Sequence, residues 1–118
     1  QGLIPNVHVS FYIYPNNEGL IPGMHRVYPQ DGYKGVLVYC LEQNTYLAYE
    51  MACPYDFQKD SAIVEFDPTT LHLVDSVCGS RFQIIDGMPV GGPASVPLKQ
   101  YFTDYDFTTG LLHVYNSN

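Results

Sequence analysis

Val7, Val9, Phe11 and Ile13 alternate with His8, Ser10, Tyr12 and Tyr14, a period of two that puts the apolar residues on one face of an extended chain. Comparable runs cover 35–42, 45–52, 62–67, 70–75, 82–86, 99–107 and 111–115. Between them stand Pro15-Asn16-Asn17, Gln30-Asp31-Gly32, Gln43-Asn44, Asp67-Pro68, Asp86-Gly87 and Thr108-Thr109-Gly110, residue types that reverse a chain direction at low cost. No window carries a sustained apolar stripe at helical spacing. The pattern predicts an antiparallel all-β chain, with no internal repeat and no linker rich in Gly or Ser.

At 118 residues there is room for one core, so a single domain over 1–118 is expected. The 11 tyrosines, 6 phenylalanines and 46% hydrophobic content describe a packed globule rather than a disordered tail. A formal charge of −7, from 12 acidic against 5 basic residues, lacks the electrostatic footprint of a phosphate-backbone binder. Nucleic acid and anionic membrane surfaces are therefore not expected as partners. No apolar run approaches the roughly 18 residues of a membrane span, and no signal peptide is visible. The start at Gln1 without Met suits a leader removed upstream.

Between 53 and 101 the chain carries a set of ordered signals. Cys53-Pro54-Tyr55 is followed by a segment from Asp75 to Cys78-Gly79-Ser80-Arg81-Phe82, then by Gly87, Gly92-Pro93-Ala94, Leu98 and Tyr101. This order and spacing resembles the cluster-binding half of a Rieske [2Fe-2S] domain, in which two facing loops supply two thiolates and two imidazoles. In that register Tyr55 stands where a His is needed, Asp75 where a Cys is needed and Cys78 where the second His is needed. More narrowly, Cys-Pro-Tyr-Asp, Cys-Gly-Ser-Arg-Phe and Gly-Pro-Ala are similar to Rieske-like lipoproteins of anaerobic gut bacteria, a family without an established activity.

The resemblance implies stacked antiparallel sheets, with a vestigial cluster-loop subdomain over 52–101 inserted in a larger base. It also implies a vestigial site at Cys53, Tyr55, Asp75 and Cys78, with the loops packed by Gly79, Ser80, Phe82, Gly92 and Pro93. With one ligand of its expected type, and a phenol whose pKa is near ~10, the site is expected to hold no metal and no cofactor. His8, His25, His72 and His113 read as strand or surface residues rather than replacement ligands. Facing loops would bring Cys53 and Cys78 together as a candidate disulfide worth about 3 to 4 kcal/mol, which would suit an oxidising compartment. The alternative is two free, inert thiols. Cys40, within an apolar run, is expected as a small buried hydrophobe.

Other constellations are weaker. Asp104-Tyr105-Asp106 opens like a calcium loop, but Thr109 and Tyr115 stand where Gly and Glu are required, so a polar hairpin turn fits better. Gly91-Gly92-Pro93 precedes no helix and is a poor phosphate cradle. No acid, base or nucleophile set is recognisable. The expectation is a cluster-less Rieske-like domain of an exported bacterial protein, periplasmic or on the cell surface, with room for a lipid anchor upstream. It would act as a binding or structural module for an unidentified protein or small ligand. The alternative is a redox or electron-transfer protein, using a [2Fe-2S] or other metal centre or a redox-active thiol pair.

Overall fold

A computed structural model describes residues 4–59 and 62–116; Gln1, on which the leader reading rests, lies outside them. Ten strands and no helix are formed among the described residues. They are β1 (Ser10–Ile13), β2 (His25–Tyr28), β3 (Val36–Glu42), β4 (Thr45–Glu50), β5 (Glu65–Asp67), β6 (His72–Val74), β7 (Arg81–Gln83), β8 (Pro89–Gly91), β9 (Gln100–Asp106) and β10 (Leu111–Tyr115). All pairings are antiparallel. The base is a six-stranded sheet in the order β1-β10-β9-β4-β3-β2, and β5-β6-β7-β8 forms a four-stranded sheet inserted between β4 and β9. The architecture is all-β and Rieske-like.

The base sheet is strongly curled, and its strand β3 is covered on both faces. Val36, Val38 and Cys40 face one apolar cluster with Val9, Ala48, Leu112 and Val114. Leu37 and Tyr39 face a second cluster with Tyr49, Leu73, Phe82, Ile84 and Leu98. A strand covered on both faces needs apolar residues at consecutive positions, which is what Val36-Leu37-Val38-Tyr39-Cys40 supplies. The first cluster fills the curl of the base, and the second cements the inserted sheet to it. Tyr49 adds a polar tie across that seam by donating its hydroxyl to the Ile84 carbonyl at 2.6 Å.

β10 spans the predicted residues, while other runs were read several residues too long: 7–14 contracts to β1 and 62–67 to β5. The alternation in 7–14 nonetheless holds in burial, with Val9 buried and His8, Ser10 and Tyr12 exposed. β2 and β8 were not expected. Both are edge strands, β2 with mostly exposed side chains and β8 only three residues long and half-buried, so they carry no alternating apolar signal. Cys40 is buried as expected and donates its thiol to the Glu42 carbonyl at 3.2 Å. The 107–110 segment is the β9–β10 turn, where Asp106 Oδ1 accepts from the Thr108 amide at 2.8 Å.

Glu50, at the end of β4, is fully buried. Its carboxylate accepts from the amides of Tyr33 (2.7 Å), Lys34 (2.8 Å) and Ala52 (3.0 Å) and from the Tyr101 hydroxyl (2.7 Å). Burial, then the bond to Glu50, push the Tyr101 phenol well above its ordinary range. Gly32 makes room for this carboxylate, since a Cβ there would lie 2.7 Å from Glu50 Oε1. Glu50→Ala strands four donors, each costing about 1–3 kcal/mol if water cannot reach it. Allowing for partial hydration, the expected loss is ~3 kcal/mol or more, a fall in melting temperature of at least ~12 °C at roughly 4 °C per kcal/mol. Tyr101→Phe removes one bond of the four, and ~1 kcal/mol is expected. Equal thermal melts for the two variants would contradict this role.

Candidate functional site

Two loops and a prolyl segment meet at one end of the inserted sheet. The first loop leaves β4 through Met51, which accepts from the Val64 amide at 2.8 Å, and through the Ala52–Ile63 bridge, so Cys53 emerges from a paired backbone. A turn follows at once, closed by the Lys59 amide on the Asp56 carbonyl at 2.9 Å. The second loop joins β6 to β7. The Asp75 amide donates to the Ser80 carbonyl at 2.9 Å and the Gly79 amide to the Asp75 carbonyl at 2.8 Å, with Gly79 at φ +83°. Asp75 Oδ1 accepts from the Val77 amide at 2.8 Å, an Asx turn that fixes the carboxylate.

The third segment clamps the second loop. Gly92, at φ +78°, approaches so closely that a Cβ would lie 2.5 Å from Gly79 O and Ser80 Cα. The Ala94 amide then donates to Ser80 Oγ at 3.1 Å, and Ser80 Oγ lies 3.1 Å from Cys78 Sγ. Ser80, Phe82 and Ala94 are buried. Of the residues expected to pack these loops, Gly79, Gly92 and Pro93 are exposed; Gly92 makes its close approach through backbone, and Ala94 buries its methyl.

The loops bring four donors together. One ligand atom each from Cys53, Asp56, Asp75 and Cys78 lies within 4.8 Å of all the others. Cys53 Sγ and Cys78 Sγ are 3.9 Å apart and unbonded, and Cys78 Sγ is 3.2 Å from Asp75 Oδ2. Cys53 and Asp75 are 0% exposed and Asp56 only 7%. Both Asp56 carboxylate oxygens are buried without a hydrogen-bond partner. That is a costly arrangement for an anion.

The charges in this pocket oppose one another. Burial, then the facing Asp75, push the Asp56 carboxyl above its usual range. Burial would raise Asp75 as well, but contacts from Asp56, the Val77 amide and the two thiols outweigh it and hold Asp75 below that range. Burial pushes the Cys53 thiol far up, reinforced by Asp75, although the amides of Tyr55 and Asp56 beside its sulfur favour the anion. Burial also raises Cys78, against the lowering effect of Ser80. Without a cation both thiols stay protonated at neutral pH, which makes them slow nucleophiles.

Tyr55 is not among the four. Its side chain is 42% exposed, and Asp56, one residue on, turns inward instead. The C-x-H spacing pointed to 55, whereas the turn after Pro54 inverts which residue faces the pocket. The signal that could have found Asp56 was an acidic residue followed by Phe57, whose burial anchors the turn. None of the four histidines joins the site: His25 packs on Phe66, His72 contacts Arg81, His113 bonds Ser10 and His8 is exposed.

These donors do not fit a Rieske [2Fe-2S] centre. That centre needs a thiolate pair on one iron and an imidazole pair on the other. Here each loop offers one thiol and one carboxyl, and all four donors crowd within the reach of a single ion.

No protein-family profile and no curated protein matches the chain. Solved structures similar to it include the ferredoxin of carbazole 1,9a-dioxygenase from Nocardioides aromaticivorans IC177, with 18% identity, a TM-score of 0.58 and coverage of 86% of this chain and 91% of that one. A complex of reduced oxygenase and oxidized ferredoxin in carbazole 1,9a-dioxygenase is also similar, with 21% identity, a TM-score of 0.60 and coverage of 86% and 88%. At these identities the likeness speaks for the Rieske-like fold.

Two outcomes are expected here. Gly92→Ala meets backbone at 2.5 Å and a left-handed φ, so a loss of at least ~2 kcal/mol is expected in denaturant unfolding. The second concerns pH with a chelator present. The raised Asp56 carboxyl stabilises the fold fully only below its unfolded value near ~3.9, and this is lost as pH rises through the folded value. Asp75, held low, acts in the opposite sense, stabilising above the unfolded value and losing this as pH falls through the folded one. Chelated Asp56→Asn should therefore melt above the parent at neutral pH and lose that advantage near pH ~4. Melts that track each other across this range would show that Asp56 is not strained.

Proposed function

We propose that the chain is a cluster-less Rieske-like domain of an exported bacterial protein, acting as a binding or structural module rather than as a catalyst. The observation that carries this reading is the donor set: two thiols and two carboxyls, without an imidazole, at the place where the resemblance requires two of each Rieske ligand. Its thiols are disfavoured as anions, which weighs against a redox-active thiol pair. Protein is the partner class that fits best, because Tyr55 and Val77 stand exposed by 42% and 43% at the two loop tips and the net charge of −7 disfavours polyanions. Among the described residues no helix is long and apolar enough to cross a membrane. Export and a lipid anchor upstream rest on the motif resemblance to gut-bacterial lipoproteins.

A second reading, electron transfer, is favoured by one observation, the structural likeness to a ferredoxin solved in complex with an oxygenase. Anaerobic reconstitution with ferrous iron and sulfide separates the two. The cluster-less reading expects no acid-labile sulfide and no paramagnetic signal after dithionite reduction. Two irons and two sulfides per chain would decide for electron transfer. Subcellular fractionation of the native host tests export independently, and a cytoplasmic protein would remove that part.

A further inference from the structure

The pocket contains more than a lost cluster would leave. Asp56 is 93% buried by its 7% exposure, aims two unpartnered oxygens at two sulfurs and a second carboxylate, and is not at a position that the resemblance marks for a ligand. We propose that Cys53, Asp56, Asp75 and Cys78 together bind one tetrahedrally coordinated divalent ion of the zinc class. This rests on the cluster-less reading of the pocket and adds to it what the pocket holds.

The dimensions are those of one ion. Zinc–sulfur bonds of ~2.3 Å at tetrahedral angles set two thiolates about 3.8 Å apart, and the sulfurs here are 3.9 Å apart. A zinc-bound thiolate and carboxylate oxygen would be about 3.5 Å apart, against 3.2 Å between Cys78 Sγ and Asp75 Oδ2. Two thiolates select a borderline-soft ion over calcium or magnesium. A disulfide fits less well, since it would consume both sulfurs and leave Asp56 and Asp75 facing each other in a buried space with no cation.

The surrounding groups are arranged as supports for such ligands. The Val77 amide holds Asp75 Oδ1, leaving Oδ2 directed at the site. Ser80 Oγ accepts from the Ala94 amide and from the Cys78 thiol at 3.1 Å, and once that thiol has lost its proton to the ion's arrival the Ser80 hydroxyl would donate to the sulfur instead. Outer partners of this kind orient metal ligands and tune their basicity. On binding, each thiol releases its proton to solvent and no electron is transferred. The ion links the first loop to the second, the task that the candidate disulfide was expected to perform.

Cobalt(II) titration of the reduced, chelator-stripped full chain tests this. One equivalent should produce a near-ultraviolet thiolate-to-cobalt band and the intense visible bands of tetrahedral cobalt, and one equivalent of zinc should abolish them. Zinc should also raise the melting temperature by several degrees and protect Cys53 and Cys78, mapped by mass spectrometry, from alkylation. Loss of outer-shell partners alone costs ~10–100-fold in affinity, so Asp56→Asn, checked for folding by circular dichroism, should weaken cobalt binding at least ~10-fold. Cys40→Ala should bind as the parent does. Absent bands, no protection by zinc, or Asp56→Asn binding as tightly as the parent would overturn the four-donor site. So would a Cys53–Cys78 disulfide in protein isolated without reductant, if reduction then restored no binding. Failure of these arms with no labile sulfide in the reconstituted protein overturns the ion alone, whereas two irons with two sulfides overturn the cluster-less reading beneath it.

Discussion

The position of both halves of this molecule depends on one buried carboxylate. Glu50 ends the central strand β4, and its four acceptor contacts join the 33–34 segment, the first residues of the loop that carries Cys53, and Tyr101 on β9. Ala52 lies where the chain leaves the base for the inserted sheet, Tyr101 lies where it has returned, and 33–34 is the segment that leads into β3. A desolvated anion is tolerated only when donors converge on it, so the four contacts specify one path for the chain at the point where it must leave regular pairing. The negative charge is met by amides and a phenol, without a salt bridge in the described residues.

The two apolar clusters divide the work around that anchor. One closes the curl of the base, and the other makes the inserted sheet and the base a single packed body through Tyr39, Tyr49, Phe82 and Leu98. Cys53 belongs to this second cluster, so its sulfur borders both core and pocket. That position explains why its thiol is strongly disfavoured as an anion, and why any charge placed there must be balanced locally.

The class of fold was legible because alternation is a direct imprint of a sheet with one covered face, as in the residues around β1. The 35–42 run was grouped with the alternating segments, whereas cover on both faces makes β3 continuously buried from Val36 to Cys40. β2 left little trace because an edge strand with mostly exposed side chains is under no demand to alternate, and β8 because three half-buried residues are too few to show a period. In the site, Cys53, Asp75 and Cys78 were picked out through motif order, and Asp56 was missed because a motif read at fixed spacing assumes the turn of the loop it resembles. The turn after Pro54 is set by the buried Phe57 and by the bond from Lys59 to Asp56, contacts that spacing alone does not encode.

Gly92 and Ser80 hold the second loop through main-chain proximity and one hydroxyl, using none of the four donor side chains except for the contact with Cys78. The scaffold of the pocket and its chemistry are thus written in different residues. A protein built this way can exchange the groups lining the cavity while the walls stay in place, and its shape is then a poor witness to its cargo. The lining must be read atom by atom, and here the most informative group is the aspartate that the Rieske-like pattern does not mention.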